Sequence, residues 1–455
     1  MKERIQSQRQ LFNSNITKNV EYRIKQLKTF YSVVKSNEAF LMQAIKDDFK
    51  KSKFDTFTNE LALLYCDIKE AIRNVKKWSA PKKVRTNIIN FPSKSYVIPE
   101  PLGVSLIIGA WNYPYQLSLV PTVASLAAGN TVVLKPSELP AHTSHAMAKI
   151  INENFDPHYF TVVEGGVTET TSLLNERFDK IFFTGSVSVG KIVYQAAARN
   201  LTPVTLELGG KSPAIVTENC NLDISVKRLI WAKYLNAGQT CIAPDYVFVH
   251  EKIQQQFLAR AKQEIQQSAY SFANGNYVQI INDRNVDRLI SLIEPSKVFY
   301  GGSYQKENRY IEPTILTDIH FSDKVMSEEI FGPILPVLKY SNIDTMISEI
   351  KSRPKPLACY VFTNDKMIKS RVLRELSFGG GGINDAVMHI TNSNMAFGGV
   401  GESGIGAYHG EAGFKIFTHF KSILDKPSWF EPQLKYYPHT KTKLKMIKLM
   451  MGLWD

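Results

Sequence analysis

Cysteine is scarce in this chain: four thiols in 455 residues, Cys66, Cys220, Cys241 and Cys359. Neither paired nor metal-like spacing joins them, so no disulfide framework and no metal site is indicated, and a reducing cytoplasm suits the chain. No stretch approaches the uninterrupted apolar length of a membrane span. The start, Met1 to Gln10, has no apolar core and no small-residue cleavage site, so a signal peptide is not expected. Low-complexity tracts and short-period repeats are absent as well. Acid is in short supply, with Asp+Glu 42 against Lys+Arg 55, a formal charge of +13. Such an excess could serve nucleic acid or anionic lipid. The basic residues are scattered except at the two ends, however, which points to a solvated surface over the body and to no nucleic-acid partner.

What is present describes an ordinary globular protein, 44% hydrophobic and 21% charged, long enough for two or three domains. Apolar residues recur at helical spacing through Ile24, Leu27, Phe30, Tyr31 and Val34, and again through Leu61, Leu64, Ile68 and Ile72. Pro81 ends that section, and 84–98 reads as extended. From Pro101 short apolar strands alternate with helices: strands at 104–108, 131–134, 160–163, 181–183 and 203–206, helices at 117–128, 144–152, 169–174 and 189–198. Apolar runs without clean alternation mean a parallel sheet covered on both faces. After Gly210 the alternation restarts with strands at 214–216, 246–249 and 359–362. The expected fold is α/β, two doubly wound parallel-sheet domains (one Rossmann-like) with a small bridging β segment. Residues 1–81 and 101–207 would form the first domain, 208–405 the second, 82–100 and 406–430 the small β segment, and 431–455 a basic tail.

Three neighbouring blocks carry chemistry. Phe183 to Gly190 is a strand end entering a small-residue turn and a helix, which suits a dinucleotide; Gly185 and Gly190 flank four residues, a weak signal alone. Lys135 and Glu138, at the end of an earlier strand, can hydrogen-bond the hydroxyls of a ribose, or simply mark a helix start after Pro136. Leu206-Glu-Leu-Gly-Gly-Lys211 sets a carboxylate, Glu207, at a strand end before a turn that lets backbone approach a ligand. A surface salt bridge is the plain alternative for any single Glu. Gly238-Gln-Thr-Cys241 places a thiol in a loop of the kind that exposes it to a cleft. By contrast Cys66 reads as a small core residue on an apolar helix face, Cys359 as part of a buried strand, and Cys220 as part of a polar turn. Glu328-Glu329 precede another close-approach loop ending at Pro333. No histidine lies near Cys241 in sequence; His389 and His409 are distant candidates for a Cys-His hydrolase.

Trp111-Asn-Tyr-Pro114, Lys135-Pro-Ser-Glu138, Phe183-Thr-Gly-Ser186, Leu206 to Lys211, Gly238 to Cys241 and Glu329-Ile-Phe-Gly-Pro333 occur in this order. In that order they resemble the aldehyde dehydrogenase superfamily over nearly the whole chain. Lys211-Ser-Pro213, Cys241 to Tyr246, Ile383-Asn-Asp385 and Tyr408-His-Gly410 look like its class 3 branch, which acts on fatty and aromatic aldehydes. The resemblance implies that Cys241 is the nucleophile, Glu207 the general base and Asn112 the oxyanion donor, with the Cys241 N–H as second donor. It implies that Trp111, Lys135, Glu138, Gly185, Ser186, Gly190, Leu208, Glu329 and Phe331 surround the cofactor, NAD by preference and NADP less well. It also implies a homodimer joined through 84–98 and a return strand near 414–423. Ala396 stands where the family commonly has proline, which loosens that loop.

The substrate implied is a hydrophobic aldehyde: long-chain, aromatic or polyene. Two other classes of function share these residues: release of the thioester to coenzyme A or thiol hydrolysis without a dinucleotide, and a non-catalytic binding protein on the same scaffold. Glu207 speaks against transfer to coenzyme A, and the joint presence of Cys241, Glu207 and Asn112 speaks against mere binding. In the tail, four lysines of 441–448 mix with Leu444, Ile447, Met450, Met451 and Trp454. That composition suits either a helix docked on the protein or an interfacial helix giving peripheral membrane contact.

Overall fold

A computed structural model describes residues 1–453 of the chain; Trp454, part of the expected tail stripe, lies outside them. In the first sheet the strands Phe160–Val162, Thr131–Lys135, Val104–Ile108, Lys180–Thr184 and Val204–Glu207 lie side by side and parallel. Gly404–Ile405 closes the edge, antiparallel to Val204–Glu207. Every residue of Val104–Ile108, Thr131–Lys135 and Lys180–Thr184 is buried, because helices cover both faces as an all-parallel sheet requires. The helices Pro114–Ala128, Ala141–Asn152, Val167–Leu174 and Val187–Ala198 make the crossovers.

The N-terminal section is helical, as its periodicity predicts, with Val20–Ser36, Glu38–Phe49 and Ala62–Trp78 as its main helices. Leu27, Phe30, Val34, Leu61, Leu64 and Ile68 are fully buried. Cys66 departs from expectation and is exposed. The buried stripe of Ala62–Trp78 runs through Leu64, Tyr65, Ile68, Ala71 and Val75, and two residues beyond Leu64 means about 200° around the axis. A short π-helical segment, Phe57–Leu61, precedes that helix and carries the buried Glu60.

The second sheet runs Val298–Tyr300, Thr314–Leu316, Ile334–Tyr340, Tyr246–His250, Pro213–Val216, Ala358–Phe362 and Gly380–Ile383. All neighbours are parallel except the first pair. Three of these strands lie in 269–358, where the sequence pattern is unreadable: two have only three residues, and Pro336 interrupts the third.

The third sheet is antiparallel. Lys82–Val84 pairs with Lys94–Pro101, which pairs along its whole length with Thr418–Asp425. The extended stretch expected over 84–98 is broken by a turn at Ile88–Asn90. The return strand starts later than expected because Gly410–Ile416 is a helix, its Phe414 packed on Trp78 with ring centroids 5.6 Å apart. The chain after Gly404 therefore revisits the first sheet and its helices before it bridges. In the tail, Lys441–Met450 is a helix capped by Thr440, with no buried residue. Among the described residues no helix is long and apolar enough to cross a membrane.

Candidate active site

Glu207 is the last residue of its strand, 3% exposed, and neither carboxyl oxygen has a hydrogen-bond partner among the described residues. Burial holds its carboxyl well above the ordinary range. The Gly-Gly turn that follows has a concrete reason. A Cβ on Gly209 would lie 2.0 Å from Glu329 Oε2, so the Glu329 carboxylate sits directly over that glycine. Lys211 and Asp245 fix the loop bearing Glu329. The Lys211 Nζ pairs with Asp245 and donates to the carbonyls of Val325 and Glu328, and the Ile330 N–H donates to Asp245 Oδ1. Burial pushes Glu329 up to about 8, with Asp245 adding to it and the Gly210 N–H, Lys211 and Arg288 opposing. The motifs 206–211 and 329–333 are thus one mechanical unit.

Cys241 follows a tight loop. Asn236, Ala237 and Gly238 are consecutive left-handed residues, at φ 54°, 52° and 72°. A Cβ on Gly238 would come within 2.2 Å of the Gly332 carbonyl oxygen, so only glycine fits there. The Asn236 side-chain amide donates to the carbonyls of Asn112 and Gln239 at 3.0 and 3.1 Å. Asn112, 3% exposed, donates one amide hydrogen to the Gln239 carbonyl at 3.1 Å, leaving its second donor. The Tyr113 hydroxyl bonds that of Thr240 at 2.7 Å. The half-buried Cys241 thiol is pushed up to about 12, by burial first, then by Glu329 and Glu207; its own N–H and that of Ile242 pull the other way. At rest it is a thiol.

Asn112 is carried on the approach to helix Pro114–Ala128, whose first turn is anchored from below. The Tyr115 N–H donates to Glu60 Oε2 at 2.8 Å, and Glu60 Oε1 pairs with Lys51 at 2.6 Å. The Lys51 ammonium also lies 4.4 Å from the centroid of the Tyr113 ring. Sequence reading missed Lys51, Glu60, Tyr113, Thr240 and Asn236. The one signal available was Glu60, a charge set against the apolar run that follows it.

Lys135 ends its strand, 1% exposed. Its Nζ donates to the Pro136 carbonyl at 2.6 Å and stands 3.8 Å from Glu138, which is half-exposed. Burial lowers the Lys135 pKa, with Glu138 and Glu169 opposing. Gly185 follows strand Lys180–Thr184 and lies over the Phe183 ring; Ser186 caps helix Val187–Ala198 by accepting from the Val189 N–H at 3.4 Å. Gly190 is buried, and a Cβ there would meet Leu208 Cδ2 at 2.6 Å, so this glycine admits the buried Leu208. Trp111 and Phe331 meet edge to face at 5.3 Å. Leu139, Val167, Val189 and Ile192 are exposed along the same carboxyl edge of the sheet. Apolar surface for a base, Lys135 and Glu138 for a ribose, and a helix start for phosphates fit a dinucleotide. His389 and His409 both stack on Phe397, at 6.1 and 5.6 Å, and burial pushes each down to about 4. Imidazoles so disfavoured as cations give a Cys-His pairing no support.

Residues 2–423 match the model of the aldehyde dehydrogenase family. The chain is 44% identical over 447 residues to the 4,4′-diaponeurosporen-aldehyde dehydrogenase of Staphylococcus aureus, covering 96% of each chain. It is 42% identical over 447 residues to aldehyde dehydrogenase family 3 member A2 of Pongo abelii, covering 97% of this chain and 92% of that one. A solved structure, the substrate-bound state of Staphylococcus aureus AldH, matches with a TM-score of 0.97 at 42% identity and covers 99% of each chain. Likeness of that depth, from residue 2 into the last bridging strand, goes beyond a shared scaffold: the chain belongs to the aldehyde dehydrogenase family, alongside members of its class 3 branch.

Proposed function

We propose that the chain oxidises a hydrophobic aldehyde, long-chain, aromatic or polyene, to its carboxylic acid with NAD, NADP serving less well, through a thioester on Cys241. The observation that carries this reading is a buried Glu207 carboxyl with no hydrogen-bond partner among the described residues, at a site where burial, then Glu329 and Glu207 push the half-buried Cys241 thiol up. Burying a carboxyl without a partner is unfavourable, and such groups concentrate at sites of chemistry.

The Cys241 thiol gives its proton to water and adds, as the thiolate, to the carbonyl carbon. The oxyanion that forms is met by the free donor of the Asn112 amide and by the Cys241 N–H. An aldehyde carbon has no good leaving group, so a hydride acceptor is obligatory, and a bound nicotinamide ring would supply it. Lys135 and Glu138 would hold the adenosine ribose, with Gly185 and Ser186 beside the phosphates and Gly190 seating the Leu208 side chain behind them. Glu329, Trp111 and Phe331 would flank the nicotinamide end. Glu207 then removes a proton from the water that hydrolyses the thioester. The relative named for 4,4′-diaponeurosporen-aldehyde supports a hydrophobic substrate.

The bridging sheet and its turn leave Val84, Ile88, Ile89, Phe91, Phe420 and Leu424 exposed. Apolar side chains in such number suit burial against a second copy, hence a homodimer. The tail helix exposes Leu444, Met446, Leu449 and Met450 among its lysines, which supports peripheral contact with anionic membrane. A panel of aldehydes of rising chain length, assayed with NAD and NADP, tests the substrate and cofactor reading. Expected are a kcat/KM that rises with apolar length and a preference for NAD; a flat or falling series, or clear NADP preference, overturns it.

A further inference from the structure

Glu207 cannot act repeatedly unless each proton it takes from water leaves again, and its carboxyl oxygens have no hydrogen-bond partner among the described residues to receive one. The parallel pairing of the strands ending at Thr184 and Glu207 sets Phe182 opposite Thr205 and Thr184 opposite Glu207. Side chains alternate along a strand, so these four share one face of the sheet. Tyr408 packs on that face, its ring 5.0 Å from Phe182. The backbone leads it there: Gly404 pairs with Glu207, Ile405 with Leu206, and Gly406 lies against the Thr205 side chain. Tyr408 is fully buried, yet its hydroxyl has no hydrogen-bond partner among the described residues, and the Thr184 hydroxyl has none either. Unpartnered buried polar atoms gathered on one face are where ordered water resides.

Burial first, and then the charges of Glu207, Cys241 and Asp67, hold the Tyr408 hydroxyl well above its ordinary range. Asp67 stands on helix Ala62–Trp78, half-buried, and accepts the N–H of Gly410, two residues beyond Tyr408. Burial and then Glu70 push it up to about 7, so near neutral pH it can both take up and release a proton. The short segment Tyr408 to Gly410 thus runs from the sheet face that carries Glu207 to the Asp67 carboxyl.

We propose that Tyr408 and Asp67 form the route by which the proton that Glu207 removes from the hydrolytic water reaches solvent. The inference rests on Glu207 being the deacylation base. The balance is simple. Glu207 becomes a carboxylic acid as water adds to the thioester. Its proton then passes through water to the Tyr408 oxygen while the Tyr408 hydroxyl proton moves on toward Asp67, which releases one to solvent. No phenolate forms, so the strong suppression of Tyr408 acidity is no obstacle. Tyr408 and Asp67 are positioning and relay groups; neither touches substrate.

The test uses the full chain and follows decay of the Cys241 acyl-enzyme in a single turnover, alongside the burst of reduced cofactor. Tyr408→Phe keeps the ring and removes the hydroxyl. It should leave the burst unchanged, slow acyl-enzyme decay about tenfold, and raise the solvent deuterium isotope effect on that decay. Asp67→Asn should do the same, Asp67→Glu should restore decay, and the double variant should be no slower than the worse single one. Wild-type decay in both Tyr408→Phe and Asp67→Asn overturns the route. So does a fall in burst and decay together with a lowered unfolding midpoint, which marks a packing role. Glu207→Gln is the control: sustained turnover there would remove the base itself, whereas a stall there with normal decay in Tyr408→Phe rejects only the relay.

Discussion

Replacing Lys51 with methionine is the most informative perturbation away from the chemistry. Its side chain is 1% exposed and that of Glu60 fully buried, so the pair sits in a dry interior. Breaking one partner of such a pair typically costs about 3–5 kcal/mol, because the other charge is left uncompensated. Here the expected loss lies near the lower bound, since Glu60 keeps the N–H groups of Tyr115 and Gln116. Glu60→Gln, by contrast, leaves the Lys51 ammonium facing chiefly the Tyr113 ring and should cost more. Activity should fall with stability. The same contacts hold the start of the helix that follows Asn112, and Tyr113 in turn holds Thr240 beside Cys241. A kcat reduced at least about tenfold, yet less than the roughly 100-fold of a lost oxyanion donor, is expected. Urea midpoints and steady-state kinetics on Lys51→Met, Glu60→Gln and the double variant decide it. The double variant should lose less than the sum of the singles. A loss below about 1 kcal/mol, the scale of an exposed pair, with unchanged kcat would show that the Lys51–Glu60 pair does not hold the helix start.

Gly209→Ala should raise the KM for cofactor several-fold, because its Cβ would displace Glu329; an unchanged KM contradicts the role given to that turn. Truncation after Pro438 should abolish salt-sensitive co-sedimentation with anionic vesicles, and equal, negligible pelleting of both proteins would leave only a docked tail. The folded pKa of Glu207 is raised above its ordinary value of 4.5, so the stability it contributes is full below that pH and lost as pH rises toward the folded value, at about 1.4 kcal/mol per unit of the raised pKa. Glu207→Gln should therefore gain on the wild type in urea midpoint between pH 4 and pH 8, and a gap that does not widen would contradict that burial.

The blocks of chemistry were legible because each is a local constraint. A glycine where a Cβ would strike Gly332, or a Gly-Gly turn beneath a carboxylate, leaves its mark in adjacent residues. The buried strands of 104–207 were legible because apolar runs between turns admit few readings. What escaped notice is non-local. Lys51 reaches Tyr113 across 62 positions, Lys211 reaches Glu328 across 117, and no periodicity encodes either contact. The strands at 298–300 and 314–316 are too short to show a pattern. Cys66 is exposed because an apolar neighbourhood in sequence is not an apolar face, and Gly190 shows that a glycine near a cofactor edge can serve packing.

A thioester on Cys241 resolved by Glu207 is tested by a single-turnover experiment on Glu207→Gln with a hydrophobic aldehyde and NAD. Expected is a burst of one reduced cofactor per chain, then a stall of about 100-fold or more, with an acyl group retained on Cys241 in the intact-protein mass. Turnover continuing at the wild-type rate after the burst, or an acyl group on any other residue, would contradict it.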